Sequence, residues 1–179
     1  MAVAQIASGC LSLALSASFF VLKRKRIPLV YFSTLSLIIV IFLYIFAYPW
    51  TFIGHPLQPY NETTNAGCNP LQYSWCETTV ATTPWIFIPL LTLVLGISIP
   101  SSFISFDAMY SKMLGDIDQT LMQSILVVAE DIVQIFGPIY ASGLFTASGM
   151  NVLWSVNGAI AAVSLIVLIF AWTRLKKFR

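Results

Sequence analysis

Charge is scarce in this sequence: Asp, Glu, Lys and Arg make up 9% of it, against roughly 25% in a soluble globular domain. Histidine occurs once, at His55, which excludes a histidine-rich metal centre and an intramembrane Ser–His nucleophile. There is also no paired-aspartate motif of a membrane protease and no Cys/His cluster with metal-ligand spacing. The chain reads as a non-enzyme that needs no cofactor. Basic residues are missing altogether between 50 and 83, where Glu62 and Glu77 stand. The nine Lys and Arg residues elsewhere all flank apolar runs, so no polybasic surface is left over for nucleic acid.

Apolar residues, by contrast, make up 58% of the chain. They form five long runs, at about 3–22, 28–49, 84–105, 120–144 and 151–172. Each has the roughly 20 residues that a helix needs to cross a hydrocarbon core of about 30 Å. Unbroken runs of this length predict helices, whereas barrel strands would alternate in short segments. Threading the five runs alternately puts Lys23–Arg26, Lys112, Arg174, Lys176, Lys177 and Arg179 on one side and the 50–83 loop on the other. Short basic loops stay in the cytosol during insertion. The expectation is an all-α polytopic protein, one membrane domain over 1–179 embedded in the lipid bilayer. Its N-terminus is outside or lumenal and its C-terminus cytosolic.

The first run is not a secretory signal, because its positive charge follows the apolar stretch instead of preceding it. Ser8, Gly9, Ser12, Ala14, Ser16, Ala17 and Ser18 suit close packing against another helix. Cys10 within it reads as an inert buried thiol. The 50–83 loop carries the glycosylation sequon Asn61-Glu62-Thr63 on the lumenal side. Cys68 and Cys76 share this loop, with the turn-favouring Asn69-Pro70 between them. In an oxidising lumen they can close a disulfide; two free thiols, or a metal pair with the distant His55, are the alternatives. His55 could sense an acidic lumen, although a lone loop histidine commonly has no such role.

The spans differ from one another. Spans two and five are apolar nearly all round and can face lipid, and Trp50, Trp85, Trp154 and Trp172 stand at span ends, where indoles favour the interface. Span three contains Pro89, Gly96 and Pro100, with Ser98, Ser101, Ser102 and Ser105 after the glycine, and Pro100 is read as a helix break. Span four holds Gln119, Gln123, Glu130 and Gln134 within about 60° of one another on a helix of 3.6 residues per turn. Asp131 sits beside this stripe, and Gly137-Pro138 is expected to interrupt the helix. A polar face of this kind must turn to a bundle interior or an aqueous cavity. Gln123, Glu130, Asp131 and Gln134 are therefore candidate pathway-lining residues, and two neighbouring carboxylates at membrane depth are the chemistry of a proton-coupling or cation-binding group. Alternatively the helix starts later and both acids sit in water near the cytosolic surface.

These residues carry a resemblance. Tyr110-Ser111-Lys112-Met113-Leu114-Gly115, with Pro100 upstream, resembles the end of the tenth helix in the lysosomal major-facilitator proteins linked to neuronal ceroid lipofuscinosis. Cys68-Asn69-Pro70-Leu71-Gln72-Tyr73-Ser74-Trp75-Cys76 is similar to their Cys-Pro-x-x-x-x-Trp-Cys signature, and Gly137-Pro138 falls where they have a Gly-Pro. The resemblance covers roughly 50–145. It implies that the five spans are helices eight to twelve of a twelve-helix transporter, with ten and eleven bordering the cavity and nine and twelve peripheral. It also implies a glycosylated ninth loop at Asn61, an endolysosomal membrane and transport of a small solute or ion, chloride having been proposed for the family. The chain departs from the family at Asp116-Ile117-Asp118-Gln119-Thr120, where a Pro-x-Pro-Gln-Gly segment is usual, and at Glu130, Asp131 and Gln134, which replace small residues and an arginine. Exchanging a cation for two anions opposes an anion pathway.

A two-half transporter binds its substrate between the halves, and the first half and seventh helix have no counterpart here. The expectation is the C-terminal portion of a transporter or channel, partnered by the missing N-terminal half or another membrane protein. A non-transporting membrane interaction protein is the alternative. Lys176-Lys177-Phe178-Arg179 also has the form of an endoplasmic-reticulum retrieval ending, although basic residues after a last span are what topology requires.

Overall fold

The computed structural model describes residues 2–22, 29–61, 67–115 and 118–175. It is all-α apart from one short hairpin, and four helical segments in it are long and apolar enough to cross a membrane: Ala2–Phe19, Leu29–Phe46, Pro84–Leu114 and Gln119–Trp172. Helix α1 is Ala2–Leu22 and α2 is Leu29–Phe46. The third segment comprises α3 (Pro84–Leu93), a π-turn (Val94–Ser98) and α4 (Ile99–Leu114), and the fourth is α5 (Gln119–Leu175). Most of the basic residues behind the topology reading (Lys23–Arg26, Lys176, Lys177 and Arg179) lie outside the described residues.

Local chemistry accounts for the helix ends. Pro84 opens α3 within its first turn, where its missing N–H costs nothing. α4 ends at Gly115, whose φ of 59° suits glycine. Asp118 then starts α5, its carboxylate accepting the N–H groups of Thr120 at 3.1 Å and Leu121 at 3.3 Å. The start of α5 at Gln119 puts Glu130 and Asp131 within the helix, roughly 16 Å along its axis at 1.5 Å per residue. The helix therefore does not begin after them.

The expected helix breaks fall elsewhere. Pro100 lies in the first turn of α4, and the chain stays helical through it. The distortion is the preceding π-turn, closed by the Ile99 N–H on the Val94 carbonyl. A wider turn accommodates a residue with no donor without stopping the helix. Gly137-Pro138 does not interrupt α5 either; the non-helical residue is Gly149, with φ 76° and ψ −173°. Proline removes one hydrogen bond but keeps a helical φ, whereas a positive φ takes the backbone out of the helix altogether.

Two apolar clusters hold the bundle. Val30 of α2, Met109 of α4 and Leu168 of α5 form one. Leu43 and Ala47 with Val94 form the other, where Phe87, Leu90 and Trp154 also pack. Span two is thus central, in contact with α3, α4 and α5 on one side, while Tyr31, Leu35, Ile38, Phe42 and Ile45 stay exposed as an apolar face that can meet lipid. Its apolar sequence reads the same whether lipid or protein surrounds it, and its two buried serines, Ser33 and Ser36, face neighbours. Trp154 packs edge-on to Tyr44 at 5.5 Å. α1 packs on the π-turn, where a Cβ at Gly96 would meet Leu11 Cβ at 2.8 Å and the Ser8 carbonyl at 3.0 Å. The close approach is provided by Gly96, while Gly9, Ala14, Ser16, Ala17 and Ser18 of α1 are exposed, and Cys10 is exposed instead of buried.

The chain reverses at Gly149. Before it, Met122 lies near Tyr110 and Phe145 near Trp75. After it, Trp154 meets Tyr44 and Trp172 meets Tyr31. The 50–83 loop is closed at its base by the antiparallel pair β1 (His55–Pro56) and β2 (Val80–Ala81). A disulfide joins Cys68 to Cys76, with their Cα atoms 5.7 Å apart, beside a 3-10 turn at Ser74–Glu77. Asn61 is exposed, and the rest of its sequon lies outside the described residues.

Candidate functional site

Hydroxyl side chains in an apolar helix ordinarily bond back to a carbonyl of their own helix. Thr34 does so to Val30 at 2.7 Å, Thr92 to Ile88 at 2.8 Å and Ser124 to Thr120 at 2.7 Å. The interface between α2 and the third segment behaves differently. Ser33, Ser36, Ser98, Ser101 and Ser105 are all buried, and Ser36 is bonded to Ser102 across the helices at 2.7 Å. Positions 98, 101, 102 and 105 share one helix face, because steps of three and four residues return to the same side. Small side chains there let the helices approach closely. Yet the hydroxyls of Ser33, Ser98 and Ser105 have no hydrogen-bond partner among the described residues. An unpaired polar group costs free energy in a low-dielectric setting.

Beside the seam is a half-open cleft of about 180 Å³, lined by Val40, Ser98, Ile99, Ser102, Phe103, Phe106 and Glu130. Glu130 reaches it from α5, the two serines from the third segment and Val40 from α2. The Glu130 carboxylate makes no hydrogen bond among the described residues, and Asp107 and Asp131 are near enough to act on it electrostatically. An ionisable group facing hydroxyls between membrane-type helices is an arrangement for an ion, a proton or a small polar solute.

Of the polar face expected on span four, Glu130 alone enters the cleft. Gln123, Asp131 and Gln134 are exposed on α5, and Gln119 is tied to its own turn, donating to the Gly115 carbonyl at 3.0 Å. Pro100 lies two residues from both Ser98 and Ser102, so the distorted stretch positions the site even though it does not break the helix. Gly137 and Pro138 line no part of the cleft. Cys68 and Cys76 are joined in the loop and Asn61 is exposed there, both apart from the cleft. Among the described residues no group of three or more His, Cys, Asp and Glu side chains converges as a metal site.

Reading span two as apolar nearly all round passes over Ser33 and Ser36. Their spacing of three residues, opposite a 98/101/102/105 face on the next span, was the signal that could have found them. No family model, curated protein or solved structure matches the chain.

Proposed function

We propose that the protein is the C-terminal portion of an endolysosomal membrane transporter or channel for a small solute or ion. In this reading it crosses the bilayer five times, with the parts of α5 before and after Gly149 as separate crossings. The crossings correspond to helices eight to twelve of a major-facilitator fold. The observation that carries the reading is Glu130 in a cleft with Ser98 and Ser102 between apolar helices. A carboxylate is costly at that depth and is retained where a polar path needs it. The disulfide loop with Trp75 next to Cys76 agrees with the resemblance. The test is flux in endolysosomes of cells expressing the wild type, Glu130→Gln or Asp131→Asn. Flux that changes in size or pH dependence with Glu130→Gln supports the reading. Equal flux and equal pH dependence in all three would sink it.

A second reading, a non-transporting interaction protein, has one observation in its favour. Gln123, Asp131 and Gln134 are exposed on α5, and lipid cannot satisfy them, so further helices must cover that face. Stable co-purification with a larger membrane protein, lost on replacing Gln123 and Gln134 by leucine while Glu130→Gln has no effect on flux, would favour it.

A further inference from the structure

The polar groups that line the cleft decide which ions it can hold. Ser36 lies 3.0 Å from the Ser33 carbonyl and 2.7 Å from the Ser102 hydroxyl, and either hydroxyl can be the donor in the second contact. A serine hydroxyl has one donor and two acceptor lone pairs. With either assignment Ser102 Oγ keeps a lone pair for the cleft it lines.

The other polar groups agree. Glu130 offers carboxylate oxygens. Ser98 Oγ is fully buried, lines the same cleft and has no partner among the described residues, so it is free to turn a lone pair inward. Among the described residues no basic side chain lines the cleft. An anion there would face a carboxylate, whereas a hard cation finds oxygen ligands from two helical segments.

We propose that the Glu130–Ser98–Ser102 cleft binds a single alkali-metal cation, sodium being the probe of choice. The one lining carboxylate neutralises one positive charge. Asp107 and Asp131 do not line the cleft but act on Glu130 through space, and their negative potential favours a cation further. The cleft of about 180 Å³ has the volume of roughly six waters at about 30 Å³ each. It therefore holds an ion with part of its water shell. The proposal deepens the transport reading by naming the charge class of the path's occupant, but it concerns binding and is tested without flux.

The experiment follows the melting of the full chain in detergent by tryptophan fluorescence, at constant pH and ionic strength. Sodium chloride is titrated against N-methyl-D-glucamine chloride, and sodium gluconate against sodium chloride. The expected result is a saturable rise in melting temperature that follows sodium whichever anion accompanies it. Glu130→Gln should abolish the rise, and Ser98→Ala and Ser102→Ala should each raise the half-saturating sodium by roughly tenfold, the loss of one bond to a charged ligand. Ser164→Ala, far along α5 and bonded to its own helix, should match the wild type. A rise that follows chloride, no sodium-specific rise in the wild type, or an unchanged half-saturation in both serine variants would overturn the proposal. The serine variants decide the matter even where Glu130→Gln does not fold. Sodium binding without flux in liposomes keeps the site and removes the transport reading; flux without sodium binding does the reverse.

Discussion

The indole of Trp75 occupies the space that a side chain on Gly149 would need: a Cβ built at 149 would lie 2.8 Å from both Cγ and Cδ2 of the ring. The indole N–H donates to the Thr146 carbonyl at 3.3 Å, and the ring stands edge-on to Phe145 at 5.0 Å. The disulfide loop is thereby keyed to the residue at which α5 is interrupted. Gly149→Ala should destabilise on two counts, a strained positive φ costing about 1–3 kcal/mol and the clash with the ring. Trp75→Ala removes only the second. A double-mutant cycle by thermal melting should show the glycine substitution costing clearly less in the Trp75→Ala background; equal costs would contradict the packing.

Joining Cys68 and Cys76 closes a short loop, and closing so short a loop stabilises by about 2–3 kcal/mol through the unfolded state. Cys68→Ser and Cys76→Ser should lower the melting temperature alike, and the double variant should lower it no further than either one. Thiol labelling of the denatured chain should modify Cys10 alone before reduction and all three cysteines after it. Labelling at Cys68 before reduction would show the pair to be open.

Gly96 and Gly9 face different surroundings. A side chain at 96 would press on Leu11 and Ser8, while nothing lies within 4 Å of the position a Cβ would take at Gly9. Gly96→Leu should cost about 1–3 kcal/mol by overpacking, and Gly9→Leu should be within about 0.5 kcal/mol of the wild type. Melting of the two variants side by side checks the seating of α1 on the π-turn.

Asn61 is exposed on the loop expected in the lumen. The wild type should lose mass on enzymatic glycan removal, and Asn61→Gln should migrate at the deglycosylated position from the start. A wild type that does not shift would overturn the orientation read from the basic residues.

Hydropathy and charge in the sequence determined the all-helical class, the first two helices and the loop that carries Cys68 and Cys76, because run length and local capping groups such as Pro84 and Asp118 act without reference to the rest of the chain. Tertiary structure decided which face each helix buries. Ser33 and Ser36 look like ordinary polar residues in an apolar run until α4 is set against them, and Glu130 is one of four stripe residues until the packing brings it alone to Ser98 and Ser102. The helix interruptions follow the same division. A proline inside a helix is visible in sequence but costs only one hydrogen bond, and at Pro100 the preceding π-turn absorbs the loss. The residue that leaves the helix is Gly149, where chain reversal and the Trp75 ring require a backbone without a Cβ, and only the contact between distant segments imposes that requirement.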